Sequence, residues 1–262
     1  MFTLYKGKQF MKQVYRYTSW QSDVVKNSGQ DYRLPETYEW TPDDRKSRII
    51  SCVLYRFASI FSHFYALLVW NLKVVGREKL KQVSGSGYFI YGNHTQPFGD
   101  VVLPVYINRP ARIYTIASQA NYGIPVIGKI LPYLGALPVP DRIKDIRKLQ
   151  EAVRRRYSEK NCIVIFPEAH VWPYYTEIRP YDTAAFHYPA ELQAPVFAMT
   201  VTYQKRKIGK LPGMTVYIDG PFLPPSGMSR RDLTEWYRKQ VKTAMDERSK
   251  NSSIKYCIYE KV

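Results

Sequence analysis

The chain has 262 residues, 45% of them hydrophobic, enough to bury a substantial core and too apolar for a disordered polypeptide. Lysine and arginine outnumber aspartate and glutamate by 39 to 22, a formal net charge of +17, so the surface favours anionic partners: nucleic acid, an acidic membrane or an acidic protein. Cys52, Cys162 and Cys257 are odd in number and lack metal-ligand spacing, which argues against a disulfide framework or metal site and for reduced thiols in the cytosol.

Met1 to Arg48 is polar and tyrosine-rich with little periodicity, and reads as a segment that wraps a surface or stays partly mobile. Its first residues lead into no short apolar core with a cleavage site, so no secretory signal is expected. Arg48 to Leu72 is the most apolar stretch and is long enough to span a bilayer, which takes about 20 residues. Arg56, Ser59 and His63 share one face of it at helical spacing. Such a stripe suits a helix lying in a membrane interface or packed in a helical hairpin, a buried core helix with a solvated edge, or a true span.

Beyond this helix, short apolar runs alternate with helical patterns. Tyr88–Tyr91, Arg112–Ile116, Cys162–Phe166, Val196–Thr202 and Met214–Ile218 read as strands. Val101–Ile107, Ile124–Leu134 and Ile143–Tyr157 read as helices, and Ser229 followed by Asp232 caps a last helix to about Arg248. Alternation of this kind predicts an α/β fold with a mostly parallel sheet flanked by helices. The expected organisation is a membrane-associating N-terminal segment over residues 1–75, with an apolar helix or helical hairpin, and an α/β domain over residues 76–262.

The strand ending at Tyr91 runs into Gly92-Asn93-His94, and Asp100 follows after Pro97 and Gly99. In open α/β sheets, sites form beyond the carboxyl ends of strands. A carboxylate on one imidazole nitrogen leaves the other free as a general base. The alternative is that His94 caps a turn and Asp100 caps the next helix. No G-x-S-x-G elbow occurs, so a serine nucleophile is not indicated.

Asn93-His94 followed by Asp100 resembles the catalytic block of the glycerolipid acyltransferases, the lysophosphatidic acid acyltransferase family. Three further blocks resemble that family in order. They are Ile124-Pro125-Val126-Ile127-Gly128 with Leu134-Gly135-Ala136-Leu137 and Asp141-Arg142, then Ile165-Phe166-Pro167-Glu168, then Ala194-Pro195-Val196-Phe197-Ala198. Each block alone is weak; the four in sequence, over residues 87–203, are specific.

The resemblance implies that a fatty acyl group moves from a thioester to a lysophospholipid hydroxyl, with lysophosphatidic acid to phosphatidic acid as the first expectation. His94 is then the general base and Asp100 its orienter, and attack is direct, without an acyl-enzyme. Backbone N–H groups near Gly99 and Asp100 would hold the oxyanion, and Arg142 the acceptor phosphate. Asn93 would contact the acceptor, and Glu168 would organise the site or contact the acceptor hydroxyl, the alternative for Glu168 being a strand-end carboxylate paired with a nearby arginine. Two departures stand out. Five residues separate His94 from Asp100 where the family has four. Ala169-His170-Val171 stands where the family continues Gly-Thr-Arg, leaving His170 or Arg179 to replace the missing arginine. The family's early lysine in the second block is also absent, with Ser118 and Gln119 near its place. His187, in an aromatic run, reads as packing.

No cofactor is implied beyond acyl carrier protein or coenzyme A thioester as co-substrate. The basic runs Arg154-Arg155-Arg156, Lys205-Arg206-Lys207 and Arg230-Arg231 would face an anionic membrane, placing the protein on the cytoplasmic face of the cell membrane as a peripheral or monotopic enzyme. A degenerate, lipid-binding member without catalysis is the alternative. A nucleic-acid-binding protein is disfavoured, because no zinc finger, RNA-recognition signature or P-loop is present.

Overall fold

The computed structural model describes residues 13–25, 31–42, 44–108, 111–206, 209 and 211–262. Residues 1–12 of the tyrosine-rich segment, and Lys207 of one basic run, lie outside the described residues. In chain order the elements are β1 (Val14–Tyr17), α1 (Arg45–Leu68), β2 (Lys73–Val75), β3 (Tyr88–Gly92), α2 (Gly99–Ile107), β4 (Ile113–Ala117), α3 (Ile127–Leu134), β5 (Ala136–Pro138), α4 (Ile143–Ser158), β6 (Cys162–Ile165), α5 (His187–Leu192), β7 (Val196–Gln204), β8 (Gly213–Phe222), α6 (Arg230–Ser249) and β9 (Ile258–Lys261).

Seven strands form one sheet in the order β2-β8-β7-β3-β6-β4-β5. All neighbours in it pair parallel except β7 with β8. The fold is thus α/β with a mostly parallel sheet. The sheet already includes Lys73–Val75, just ahead of the expected boundary at 75/76.

Side chains alternate across a strand, and here both faces are apolar. Tyr88 and Ile90 of β3, Cys162 and Val164 of β6, and Phe197 and Met199 of β7 enter one core with Val102 and Leu103 of α2 and Ala66 of α1. Phe89, Tyr91, Ile163, Ile165, Val196 and Ala198 enter the other with Leu149 and Val153 of α4 and Tyr237 and Val241 of α6. Near-continuous apolar runs are what strands covered on both faces require. The Ser229 side chain accepts from the Asp232 N–H at 3.2 Å and so caps α6 as expected.

α1 is capped by Asp44, whose carboxylate accepts from the Ser47 N–H at 3.0 Å. It packs on α2 and α3 through its small and polar side: Ser59, Ser62 and Ala66 are its buried residues. Val53, Phe57, Ile60, Phe61, Phe64, Leu67 and Leu68 point outward, with Phe57 67% and Leu68 76% exposed. The helix is therefore not a core helix. The stripe expected from Arg56, Ser59 and His63 divides, because Ser59 turns inward while Arg56 and His63 stay exposed. By length and composition α1 could cross a membrane, and only 17% of its most apolar stretch is buried.

A second, two-stranded sheet joins distant parts of the chain. β1 and β9 pair parallel, from Val14↔Ile258 to Tyr17↔Lys261. Among the described residues of the tyrosine-rich segment, Tyr17 and Ser22 cover the loop following β6, while Leu34 packs with Tyr122 and Leu131.

Candidate active site

β3 and β6 are hydrogen-bonded neighbours running parallel, so the loops after them emerge side by side at the carboxyl end of the sheet. The first loop carries His94 and Asp100, the second Glu168. His94 Nδ1 lies 2.6 Å from Asp100 Oδ2. Asp100 is 3% exposed while the His94 side chain is 23% exposed. The buried carboxylate therefore takes one ring nitrogen, leaving the other as the imidazole's remaining acceptor. The His94 ring stacks on Phe166 at a centroid distance of 4.7 Å. Burial pushes the Asp100 carboxyl above its ordinary range, and the His94 hydrogen bond pulls it part of the way back.

The extra residue between His94 and Asp100 does not open the dyad. The loop closes on itself: the Gln96 N–H donates to Asp100 Oδ2 at 3.0 Å, and the Asp100 N–H donates to the Gln96 carbonyl at 3.0 Å. Gly99 is needed for this turn, because a Cβ there would meet Gln96 Cβ at 2.7 Å and Trp70 at 3.1 Å. The Asp100 N–H is therefore already engaged, which corrects its expected place as an oxyanion donor. Gly99 is the first residue of α2, which has no side-chain cap.

Tyr203, at the end of β7, braces the same loop from beneath. Its hydroxyl is 2.7 Å from Thr95 Oγ1, accepts from the Gln96 amide at 3.0 Å and donates to the Thr95 carbonyl at 3.3 Å. Burial pushes its phenol up, so the hydroxyl stays protonated and serves as donor and acceptor together. Sequence reasoning missed Thr95, Gln96 and Tyr203. The only available signal was a tyrosine near the end of an otherwise largely apolar strand.

Several expected acceptor contacts are occupied by structure instead. Asn93 spends its amide on β7, donating to the Val201 carbonyl at 3.1 Å and accepting from its N–H at 2.8 Å. Both ends of that amide are satisfied within the sheet. Glu168 Oε2 accepts from the His94 backbone N–H at 3.1 Å and from Arg179 Nη2 at 3.1 Å, and Oε1 accepts from the Arg179 N–H at 2.9 Å. Arg179 also donates to the carbonyls of His170 and Trp20 and lies over the Trp172 ring at 4.8 Å. With side chains 1% and 0% exposed, Arg179 and Glu168 form a buried pair. Arg179 therefore does not present a free cation to an acceptor phosphate, which corrects the expectation for it. Glu168 organises the site by holding the backbone of the base. His170, half-buried, gives its backbone N–H and carbonyl to the loop. His187 packs on Tyr188 as expected of an aromatic run.

Arg142 follows β5, three strands from β3, which is roughly 14 Å along the sheet at about 4.8 Å per strand. It pairs with Asp145 at 2.6 Å and Glu36 at 3.2 Å. The structure does not bring it to the dyad, and its charge is matched where it stands. Arg154, Arg155 and Arg156 likewise pair with Glu191 and Glu159, so this run is not an open basic face.

The loop after β6 is fastened from outside. Its Trp172 and Tyr174 N–H groups donate to the His94 and Thr95 carbonyls, each at 2.9 Å. Trp172 Nε1 donates to the Ser22 carbonyl at 3.0 Å, and its ring stacks on Tyr259 of β9, 5.0 Å away and 3° from parallel.

The fold and site define an α/β enzyme with a histidine hydrogen-bonded to a buried carboxylate at the carboxyl end of the sheet. The acyltransferase family model matches residues 71–202, just over half the chain, and the chain belongs to the acyltransferase family. No curated protein matches it. Among solved structures, the 1-acyl-sn-glycerophosphate (LPA) acyltransferase PlsC from Thermotoga maritima is similar in fold, with a TM-score of 0.57 and 17% identity over 81% of this chain and 86% of that one.

Proposed function

We propose that this chain moves a fatty acyl group from an acyl carrier protein or coenzyme A thioester to the hydroxyl of a lysophospholipid at an anionic membrane surface. Lysophosphatidic acid is the first acceptor to test, since PlsC, the solved structure of similar fold, is an LPA acyltransferase. The observation that carries the reading is the 2.6 Å contact between His94 Nδ1 and Asp100 Oδ2, within blocks that follow the family's order. His94 Nε2 takes the proton of the acceptor hydroxyl as its oxygen attacks the thioester carbonyl. The Gly99 N–H at the start of α2 faces the charge that develops on the carbonyl oxygen. Collapse breaks the carbon–sulfur bond, and the leaving thiolate takes the proton back from His94. Asp100 holds the tautomer and stabilises the imidazolium.

Membrane association fits the outward face of α1 and the neighbouring Phe98, 50% exposed. Phe98 touches Phe61 and Tyr65 of α1, which carries the apolar surface to the mouth of the dyad loop. A peripheral or monotopic seat on the cytoplasmic face follows from this surface and the basic balance of the chain.

The test is a panel of lysophospholipid acceptors with both thioester donors, read by mass spectrometry. Acyl transfer abolished in His94→Ala supports the reading. Undiminished transfer in that variant sinks the mechanism. Lipid binding without turnover across the whole panel indicates the non-catalytic alternative.

A further inference from the structure

A cavity of about 400 Å³ lies away from the dyad. It is bounded by Arg112 just before β4, Ala136 opening β5, Asn161 just before β6, and Arg156 and Glu159 at the end of α4. These are the amino ends of the parallel strands, whereas His94 and Glu168 sit at their carboxyl ends. The remaining wall comes from Tyr38, Trp40 and the first two turns of α1, through Ser47, Arg48 and Ser51.

Three arginines line this cavity against a single carboxylate, that of Glu159. Two of them flank one ring: the Arg112 and Arg156 guanidinium carbons lie 5.2 Å and 4.8 Å from the Tyr114 centroid. Arg112 also lies over Tyr55 at 4.7 Å and is anchored by the Tyr133 carbonyl at 2.7 Å. Arg156 Nη1 pairs with Glu159 at 2.8 Å, and the Arg156 side chain is 12% exposed. Both guanidiniums keep a buried Nε–H with no hydrogen-bond partner. Two like charges held about one aromatic ring repel, and a buried donor left unmade is destabilising. A tetrahedral oxyanion would offset both, because guanidinium forks bind phosphate with charge-assisted hydrogen bonds.

We propose that this cavity is a phosphate-binding site, separate from the acyl-transfer centre, formed by Arg112 and Arg156 with Arg48 at its edge. The ligand is a phosphate group without chemistry performed on it. Its source is the headgroup of an anionic phospholipid or a soluble phosphate ester. The lipid source rests on the membrane reading of α1, since Ser47, Arg48 and Ser51 share their turns with the outward Ile49 and Val53; the soluble source does not.

The experiment is calorimetric titration of the full chain with sn-glycerol 3-phosphate, together with flotation on phosphatidylglycerol and phosphatidylcholine vesicles. Arg156→Gln is the main variant, because its side chain holds the adjacent surface Glu159 and the Tyr114 ring but, among the described residues, no backbone carbonyl. Arg112→Gln is the second, and circular dichroism checks its folding. His94→Ala serves as a control in the titration and is expected to bind like the wild type, so that failure of the acyl-transfer reading leaves this test intact. Saturable binding of sn-glycerol 3-phosphate weakened at least about tenfold in Arg156→Gln supports a site for the phosphate of a soluble ester. Loss of the preference for phosphatidylglycerol in the same variant supports the lipid headgroup. Wild-type affinity for both probes in Arg156→Gln and in folded Arg112→Gln overturns the proposal, as does absence of any binding by the wild type.

Discussion

His94 and Asp100 place function and stability in opposition. Burial raises the Asp100 carboxyl, so folding favours its protonated form. That contribution is present at low pH and is lost as pH rises through the raised value. At neutral pH, Asp100→Asn is therefore expected to leave the thermal midpoint equal or higher while kcat falls about 10³-fold or more, as for a base held in the wrong tautomer. Titration of the Asp100 carboxyl itself, followed by NMR, should fall above pH about 4, the ordinary aspartate value. A titration at or below that value would show that burial does not perturb this carboxylate. Tyr203 belongs to the same scale as a positioning residue. Tyr203→Phe removes hydrogen bonds beneath Thr95 and Gln96 and is expected to lower stability by about 1 kcal/mol and to lower kcat with little change in KM. A fall confined to KM would place Tyr203 in acceptor binding instead. The dyad was legible in sequence because its two side chains lie within one loop, whose turn residues bring them together. Pairing of Glu168 with a nearby arginine was open in sequence, but Arg179 was not legible as the partner. Whether a charge faces substrate or another charge depends on burial, and eleven positions of irregular chain carry no periodicity from which to read it. Arg142 was misplaced for a related reason: sequence order gives the strand after which it emerges, while distance from the dyad depends on strand order in the sheet.

Elements whose stability comes from their own pattern were legible, and those that borrow it were not. β3, β4, β6, β7 and β8 are apolar runs that read as strands unaided. β2, β5 and β9 have only three or four residues each, and exist because a neighbour offers its edge. The orientation of α1 was open in sequence because its small inward face and large outward face both suit a helix; only packing on α2 and α3 decides which side is covered. Phe57→Asp and Phe64→Asp, on the outward face, are expected to weaken partitioning into vesicles by on the order of 2 kcal/mol each, roughly thirtyfold, with unfolding midpoints unchanged. Unaltered flotation would remove α1 from the membrane contact. Just beyond β6, Glu168→Gln strands the buried Arg179 charge and is expected to cost about 3–5 kcal/mol in denaturant titration. A loss below about 1 kcal/mol would mean that the Trp20 and His170 carbonyls alone satisfy the guanidinium.

At the scale of the whole molecule, a net charge of +17 acts through a field that salt shortens, from about 10 Å at 0.1 M to about 3 Å at 1 M. Binding to phosphatidylglycerol vesicles is expected to weaken as sodium chloride rises, while binding to phosphatidylcholine stays level. Parallel decline on both would assign the basic excess to solubility. The molecule is also closed in a way that bears on its birth. Trp172, whose backbone holds His94 in register, is sandwiched between the Tyr17–Trp20 segment and Tyr259 of β9. A ribosome that has made the whole seven-stranded sheet has still not delivered β9. The His94 loop therefore takes its outer layer from β1 and β9, segments translated before and after the whole seven-stranded sheet.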